Sequence, residues 1–305
     1  MIVGDDVYGG TYRYFETIAR PRGIDIRYVD LATDPRTTLA SVLAPDTRLV
    51  WFETPTNPLL KVIDIEAVTS VAHAHLGARG RPPVVVVDNT FASPAVQRPL
   101  RLGADVVLHS ATKSLGGHGD VVSGVVATSD RAIAERLRFV QNAVGAVPGP
   151  LDCWLVLRGL RTLVLRTERQ AANATSIARF LAGRDDVSAV LYPGLRRESG
   201  GDDISLAERQ MRTPGGMLSF IPRQGGRHGR TAEERAVAIA GSTRIFTLAE
   251  SLGGVESLIE IPAVMTHASV AGSPLAVPAA LIRLSVGIES AADLVEDLRR
   301  ALDAA

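Results

Sequence analysis

Between residues 48 and 128 the chain alternates short runs rich in β-branched residues with segments of helical period. RLVWFE (48–53), PVVVVD (83–88), DVVLHS (105–110) and VVSGVVAT (121–128) are apolar runs of strand length, and DIEAVTSVAHAHL (64–76) repeats its apolar residues at helical spacing. Strands that are apolar at consecutive positions are covered on both faces, so this rhythm predicts a mainly parallel α/β sheet sandwiched by helices. Ligands in such sheets gather beyond the carboxyl ends of the strands. Glu53 to Asn57, Asp88 to Thr90 and Ser110 to Lys113 all fall there, which predicts that they converge on one pocket.

After GAVPGP (145–150) the pattern becomes one long helical stretch reaching about Leu181. A polar segment follows, LRRESGGDDIS (195–205), then two strand-like runs, GGMLSFI (215–221) and ALIRLSVG (280–287), and an amphipathic helix, AADLVEDLRRAL (291–302). The expected organisation is a large domain over residues 1–157 and a smaller α+β domain over 158–305. RQGGRHGRT (223–231) reads as a solvated turn in which His228 is inert.

Composition narrows the class of function. With 305 residues, 46% of them hydrophobic, the chain can bury a large core. Thirty-three acidic and 33 basic residues leave no net charge, and no dense basic run is available to track a nucleic acid. The longest apolar run falls far short of the roughly 20 residues of a membrane helix, and MIVGDDVYGG places two aspartates where a signal peptide would stay apolar. The lone Cys153 can form no internal disulfide, and within LDCWLVL it reads as a packing residue rather than a nucleophile. His118, single in a glycine-rich turn, reads as structural, and no cluster has metal-ligand spacing. A cytoplasmic protein acting on a small molecule is the expectation.

Lysine usage singles out one position. Of the 33 basic residues only Lys61 and Lys113 are lysines, as if a plain positive charge were supplied by arginine and lysine kept for an amine. Lys113 cannot belong to a P-loop, because Thr112 and Val107 stand where that motif requires glycine. A surface lysine is the simpler reading of an isolated residue. Here Ser110 and Thr112, two apart on a segment expected to be extended, can present hydroxyls to an anion such as a phosphate ester. An amine beside a phosphate ester suggests pyridoxal phosphate, which also needs a carboxylate at its pyridine nitrogen. Asp88, closing an apolar strand, could supply it; it reads equally as a turn or N-cap aspartate.

DDVYGGTYRYF (5–15), ETPTNP (53–58), VVDNTFASP (86–94), QRPLRLGADVVLHSATKSLGGHGDVVSG (97–124), FTLAESLGGVESLIEIPAVMTHASV (246–270) and LIRLSVGIE (281–289) closely resemble the Cys/Met-metabolism pyridoxal-phosphate enzymes. The likeness spans essentially the whole chain. It implies an α/β fold type I transferase (aminotransferase-like), with pyridoxal 5'-phosphate joined to Lys113. It also implies that Asp88 and Thr90 hold the pyridine nitrogen, that Ser110 and Thr112 bind the phosphate, and that Tyr8 stacks on the ring and aids proton transfer. Arg283 and Ser251 are implied to hold the substrate carboxylate, Asn57 to touch that carboxylate or the cofactor's ring oxygen, and Glu250 and Arg13 are candidates for the substrate's distal part. From the residues alone, Tyr8 could be a core aromatic and Arg283 a buried structural pair. The implied activity is carbon–sulfur chemistry at the γ-carbon of an amino acid. Ile-Pro ahead of MTHAS resembles the cystathionine γ-lyase branch more than the γ-synthase branch, which tends to carry a histidine nearby. A tetramer built from dimers is implied as well.

The sequence departs from the family in places. Ser114 stands where an aromatic is usual, Gly119 where serine is usual, and RRESGG (196–201) where Ser-His-Pro is usual. The family's N-terminal arm, which serves the neighbouring subunit, and its glycine-containing phosphate loop have no counterpart before Met1. The expectation is therefore a reading frame that begins upstream. A catalytically impaired subunit is the alternative if the chain truly begins at Met1.

Overall fold

The computed structural model describes all residues except 79, 196–202, 227–228, 271 and 274, and gives no side-chain placement for 203–205 and 269. His228 and the departure at 196–201 lie outside the described residues.

Six strands form the first sheet: β1 (Ile2–Gly4), β2 (Arg27–Val29), β3 (Leu49–Glu53), β4 (Val84–Asp88), β5 (Val106–Ser110) and β6 (Gly124–Thr128), in the order β2-β1-β3-β4-β5-β6. All pairs are parallel except β5–β6. The central strands are covered on both faces, as consecutive apolar positions require. Val50, Phe52, Val85 and Val87 pack against Ile65, Val68 and Ala72 of the helix Ile65–Ala74, while Val3 joins Val7, Phe15 and Trp51 on the opposite face. β6 corrects the expectation of a fourth covered parallel strand. It runs antiparallel at the sheet edge, Val125 and Val126 are exposed, and the helix Arg131–Val144 beside it buries none of its residues. An apolar run reports what a strand could bury, not what covers it.

The long helical stretch is two helices, Pro150–Leu160 and Leu163–Ala182. The expected division after residue 157 falls inside the first of them. That helix turns Leu151, Trp154 and Leu157 outward, and Cys153 is exposed with them, contrary to the packing role read from LDCWLVL. The second helix buries Leu163, Arg166, Gln170, Ala174, Ile177 and Leu181, a three- and four-residue spacing that lays one face on the second sheet.

That sheet contains β7 (Val187–Leu191), β8 (Met217–Pro222), β9 (Thr247–Leu248), β10 (Leu258–Glu260) and β11 (Ile282–Ser285), in the order β7-β8-β11-β10-β9. The two strand-like runs of the sequence become β8 and β11, which pair antiparallel at its centre. Its core, with Ile177, Phe220, Ile259, Ile282 and Leu298, also takes in Leu60 and Phe91 from the first half. The two halves are thereby packed against each other where the loops after β3 and β4 end. Among the described residues no helix is long and apolar enough to cross a membrane.

Candidate active site

The carboxyl ends of β3, β4 and β5 open into a cavity of about 220 Å³ closed from the other side by the second half of the chain. Glu53, Asn57, Asp88, Thr90, Ser110, Thr112 and Lys113 line one side, and Glu250, Ser251, Thr266 and Arg283 line the other, with Tyr8 and Phe91 between them. The three polar clusters do converge.

Lys113 sits in a wide, π-type helical turn, Ala111–Leu115, directly after β5, and its own backbone leaves helical geometry (φ −86°, ψ −128°). The segment is therefore not extended, although both Ser110 and Thr112 still face the cavity. The Thr112 hydroxyl is also tied to Ser123, accepting from its amide at 3.0 Å. The turn is anchored from behind: Arg166 Nη1 donates to the Ser114 carbonyl at 2.9 Å and Arg166 Nη2 to the Gly159 carbonyl at 2.9 Å. Ser114 is buried beside a small second cavity lined by Phe91, Thr167, Gln170 and Gly253.

Lys113 Nζ donates to Ser251 Oγ at 2.8 Å. Ser251 holds a left-handed backbone (φ 84°), rare for a residue with a side chain, and the next loop closes through Gly253 (φ 75°). A Cβ at Gly253 would come within 2.5 Å of Ser114 Oγ, so the loop reaches the lysine turn only with glycine there. Burial, and then the Arg283 charge, hold the Lys113 amine below its ordinary pKa, which favours the neutral, nucleophilic form. Lys61, the other lysine, is paired to Asp5 at 3.1 Å.

On the first-sheet side Asp88 accepts from the Thr90 amide at 2.9 Å, which is the turn contact of its simpler reading. Directly opposite it in register stands Glu53, which accepts from the Tyr8 amide at 2.9 Å. Among the described residues no cation pairs with either carboxyl. Burial raises both pKa values, and for Glu53 the neighbouring Asp88 adds to the rise. Such a floor is complete only with a proton or a positively charged group from a ligand.

On the second-sheet side Arg283 is buried. Its Nη1 donates to Asn57 Oδ1 at 2.9 Å and lies 3.0 Å from Glu260 Oε1, its Nη2 donates to the Ser251 carbonyl at 3.0 Å, and its Nε has no partner among the described residues. It is thus a structural pair that also borders the cavity. Tyr8 is 44% exposed and lies at the mouth, not in the core. Glu250 lies at the rim, exposed. Arg13 is exposed and does not reach the cavity. Glu53, Phe91 and Thr266 were not assigned from sequence, though Glu53 falls in a polar cluster already marked by its place after a strand.

This arrangement has known counterparts. The sequence model of the Cys/Met metabolism PLP-dependent enzymes matches residues 1–303. The chain belongs to that family. Cystathionine gamma-synthase of Mycobacterium tuberculosis is 51% identical over 302 residues, covering 99% of this chain and 73% of the relative. Cystathionine gamma-lyase of Saccharomyces cerevisiae is 48% identical, covering 97% and 73%. The crystal structure of metB from Corynebacterium glutamicum superposes with a TM-score of 0.91 at 46% identity, covering 99% of this chain and 74% of that one. The fold is that of the fold type I enzymes, and the chain is a pyridoxal-phosphate-dependent carbon–sulfur lyase or synthase.

Proposed function

We propose that this chain carries out γ-elimination on cystathionine, releasing cysteine, 2-oxobutyrate and ammonia. The observation that carries the reading is the placing of the Lys113 amine between two carboxyls that lack a cation and an arginine with an unpartnered Nε. A ligand that satisfies both sides brings a protonated ring nitrogen to Asp88 and a carboxylate to Arg283.

The residues fit pyridoxal phosphate on this ground. Asp88, held by Thr90, would take the protonated ring nitrogen, Ser110 and Thr112 would hold the phosphate, and Tyr8 would pack against the ring. Bound there, the cofactor supplies an electron sink for the charge left when a proton leaves the α-carbon. Lys113 Nζ, lowered in pKa and steered by Ser251, takes that proton and moves it between neighbouring carbons. Arg283, oriented by Asn57 and the Ser251 carbonyl, grips the substrate carboxylate, and Glu250 at the rim reads its distal part.

Elimination is favoured over replacement by Ile261-Pro262 ahead of MTHAS, which resembles the lyase branch more than the synthase branch. The 51% identity to a cystathionine gamma-synthase supports γ-replacement on O-succinyl- or O-acetylhomoserine as the second reading. Purified protein supplied with cofactor and cystathionine decides between them. 2-Oxobutyrate supports the lyase, cystathionine formed from activated homoserine and cysteine supports the synthase, and pyruvate indicates β-elimination. A chain that stays colourless with the cofactor, and gains no mass at Lys113 on borohydride reduction, is the impaired subunit. A homo-oligomer, tetrameric as in the resemblance, fits the outward Leu151, Trp154 and Leu157, and sedimentation gives its size.

A further inference from the structure

Behind the cavity, Arg283 and Asn57 close a ring with Glu260, Thr266 and His267, three residues to which the proposed reaction gives no part. Arg283 Nη1 donates to Asn57 Oδ1 and lies 3.0 Å from Glu260 Oε1. Glu260 Oε1 lies 2.8 Å from Thr266 Oγ1, and Thr266 Oγ1 lies 2.9 Å from His267 Nδ1. His267 Nε2 returns to the Asn57 carbonyl oxygen at 3.1 Å. Asn57, Glu260, His267 and Arg283 are all buried, at 4% exposure or less, so their hydrogens must be shared out among themselves.

The count is restrictive. A carbonyl only accepts, so His267 Nε2 must carry a hydrogen to bond Asn57. If the imidazole is neutral, Nδ1 is then an acceptor and takes the one hydrogen of the Thr266 hydroxyl. Thr266 has none left for Glu260, so their contact is a hydrogen bond only if Glu260 donates. Thr266 donating to an ionised Glu260, the usual direction for that contact, leaves Nδ1 of a neutral imidazole without a hydrogen bond, or makes the ring an imidazolium and buries three charges where the first distribution buries one. Glu260 Oε2 argues against it: it is buried without a partner, which the carbonyl oxygen of an acid tolerates and half of a carboxylate does not. Burial, then Arg283, also lowers His267 to about 4, and burial raises Glu260. The charged and titratable groups facing the ring are Arg283, Lys113, Glu250 and Tyr8. Arg283 and Lys113 favour the ionised form of Glu260 and Glu250 the acid, while the Tyr8 ring stands edge-on to His267 at 6.4 Å.

We infer that Glu260 is a carboxylic acid at neutral pH, held so by the Thr266 hydroxyl and the Nε2–H form of His267, and that this leaves the Arg283 charge free for a carboxylate in the cavity. The second half rests on the reading of Arg283 as the carboxylate site. An ionised Glu260 would compete with the incoming carboxylate for the same guanidinium, whereas the acid orients Nη1 without neutralising it. Glu260 and His267 do not line the cavity and are positioning residues.

Nitrogen-15 NMR of the full chain with cofactor, without substrate, tests the first half, the His267 signals being those lost in His267→Gln. The expected result is a neutral Nε2–H imidazole at pH 7; an imidazolium or an Nδ1–H form overturns the inference. Binding of L-alanine, followed through the cofactor's visible band, tests the second half. Glu260→Gln, whose amide can give Thr266 the same hydrogen, is expected to bind within about threefold of wild type, and Thr266→Val, which frees Glu260 to ionise, about tenfold more weakly or worse, with Glu260→Gln restoring affinity in the double variant. Tenfold tighter binding by Glu260→Gln alone shows that an ionised counter-ion has been removed and overturns the inference. If Arg283→Met binds L-alanine as wild type does, the carboxylate reading of Arg283 fails and the second half with it, while the NMR result still judges the first.

Discussion

Two cross-strand pairs flank the cavity: Glu53 opposite Asp88 on β3 and β4, both lining it, and Glu260 opposite Arg283 on β10 and β11, of which Arg283 lines it and Glu260 lies behind. Facing positions in a sheet bring side chains within about 5 Å, so like charges there repel and unlike charges attract. The first pair has two carboxyls and no cation among the described residues. The second has a cation whose partner we infer to be neutral. Each side is thus short of one kind of charge, and in the function we propose the ligand supplies both: a protonated ring nitrogen to the first and a carboxylate to the second. Among the described residues, Lys113, between them, has only the Ser251 hydroxyl to hold its amine.

The largest effect is expected from removing what the two sides share. Lys113→Arg keeps the charge but not the nucleophilic amine, so turnover should fall by about 10³-fold or more and the borohydride mass tag should vanish. A variant retaining a substantial fraction of turnover would remove Lys113 from the chemistry. Next comes Arg283→Lys, which loses the planar fork from a buried site; KM for cystathionine should rise by about 10²-fold, more than kcat falls, and the cofactor-free chain should also unfold at lower temperature. Asp88→Asn should weaken cofactor binding by about 10- to 100-fold, read by titration of the visible band. The same change relieves the repulsion with Glu53 and should raise the melting temperature of the cofactor-free chain. Opposite signs for Arg283→Lys and Asp88→Asn in that melting experiment separate the two sides; equal signs would dissolve the contrast.

How much of this could be read from the sequence depended on the distance between partners along the chain. The convergence of Glu53–Asn57, Asp88–Thr90 and Ser110–Lys113 was legible because each cluster follows its own buried strand and parallel strands deliver their carboxyl ends to one edge. Lys113 was legible from the scarcity of lysine. The facing of Glu53 and Asp88 was not, since it depends on the register of β3 against β4. The ring through Glu260 and His267 was more remote still: its links to Asn57 span 210 and 226 residues. β6 and Cys153 were misplaced for a different reason, because an apolar pattern reports a residue's preference and not the surface presented to it.

The smallest expected effects come from acid, which should act on the two sides in opposite directions. Near the first pair, burial pushes Asp6 up to about 6. A folded pKa above the unfolded value of 3.8 means that the native chain binds this proton first, so the Asp6 contribution becomes more favourable as pH falls from 7 toward 5, by about 1 kcal/mol. On the other side His267 is lowered from 6.5 to about 4, so the unfolded chain binds that proton first and stability is lost as pH falls below about 6.5, by about 2 kcal/mol at pH 5. Urea unfolding of the cofactor-free chain at pH 7 and pH 5 should therefore show Asp6→Asn losing more stability on acidification than wild type, and His267→Gln losing less. If His267→Gln leaves the pH dependence unchanged, the imidazole is not held neutral in the folded chain, and the hydrogen count that makes Glu260 an acid fails with it.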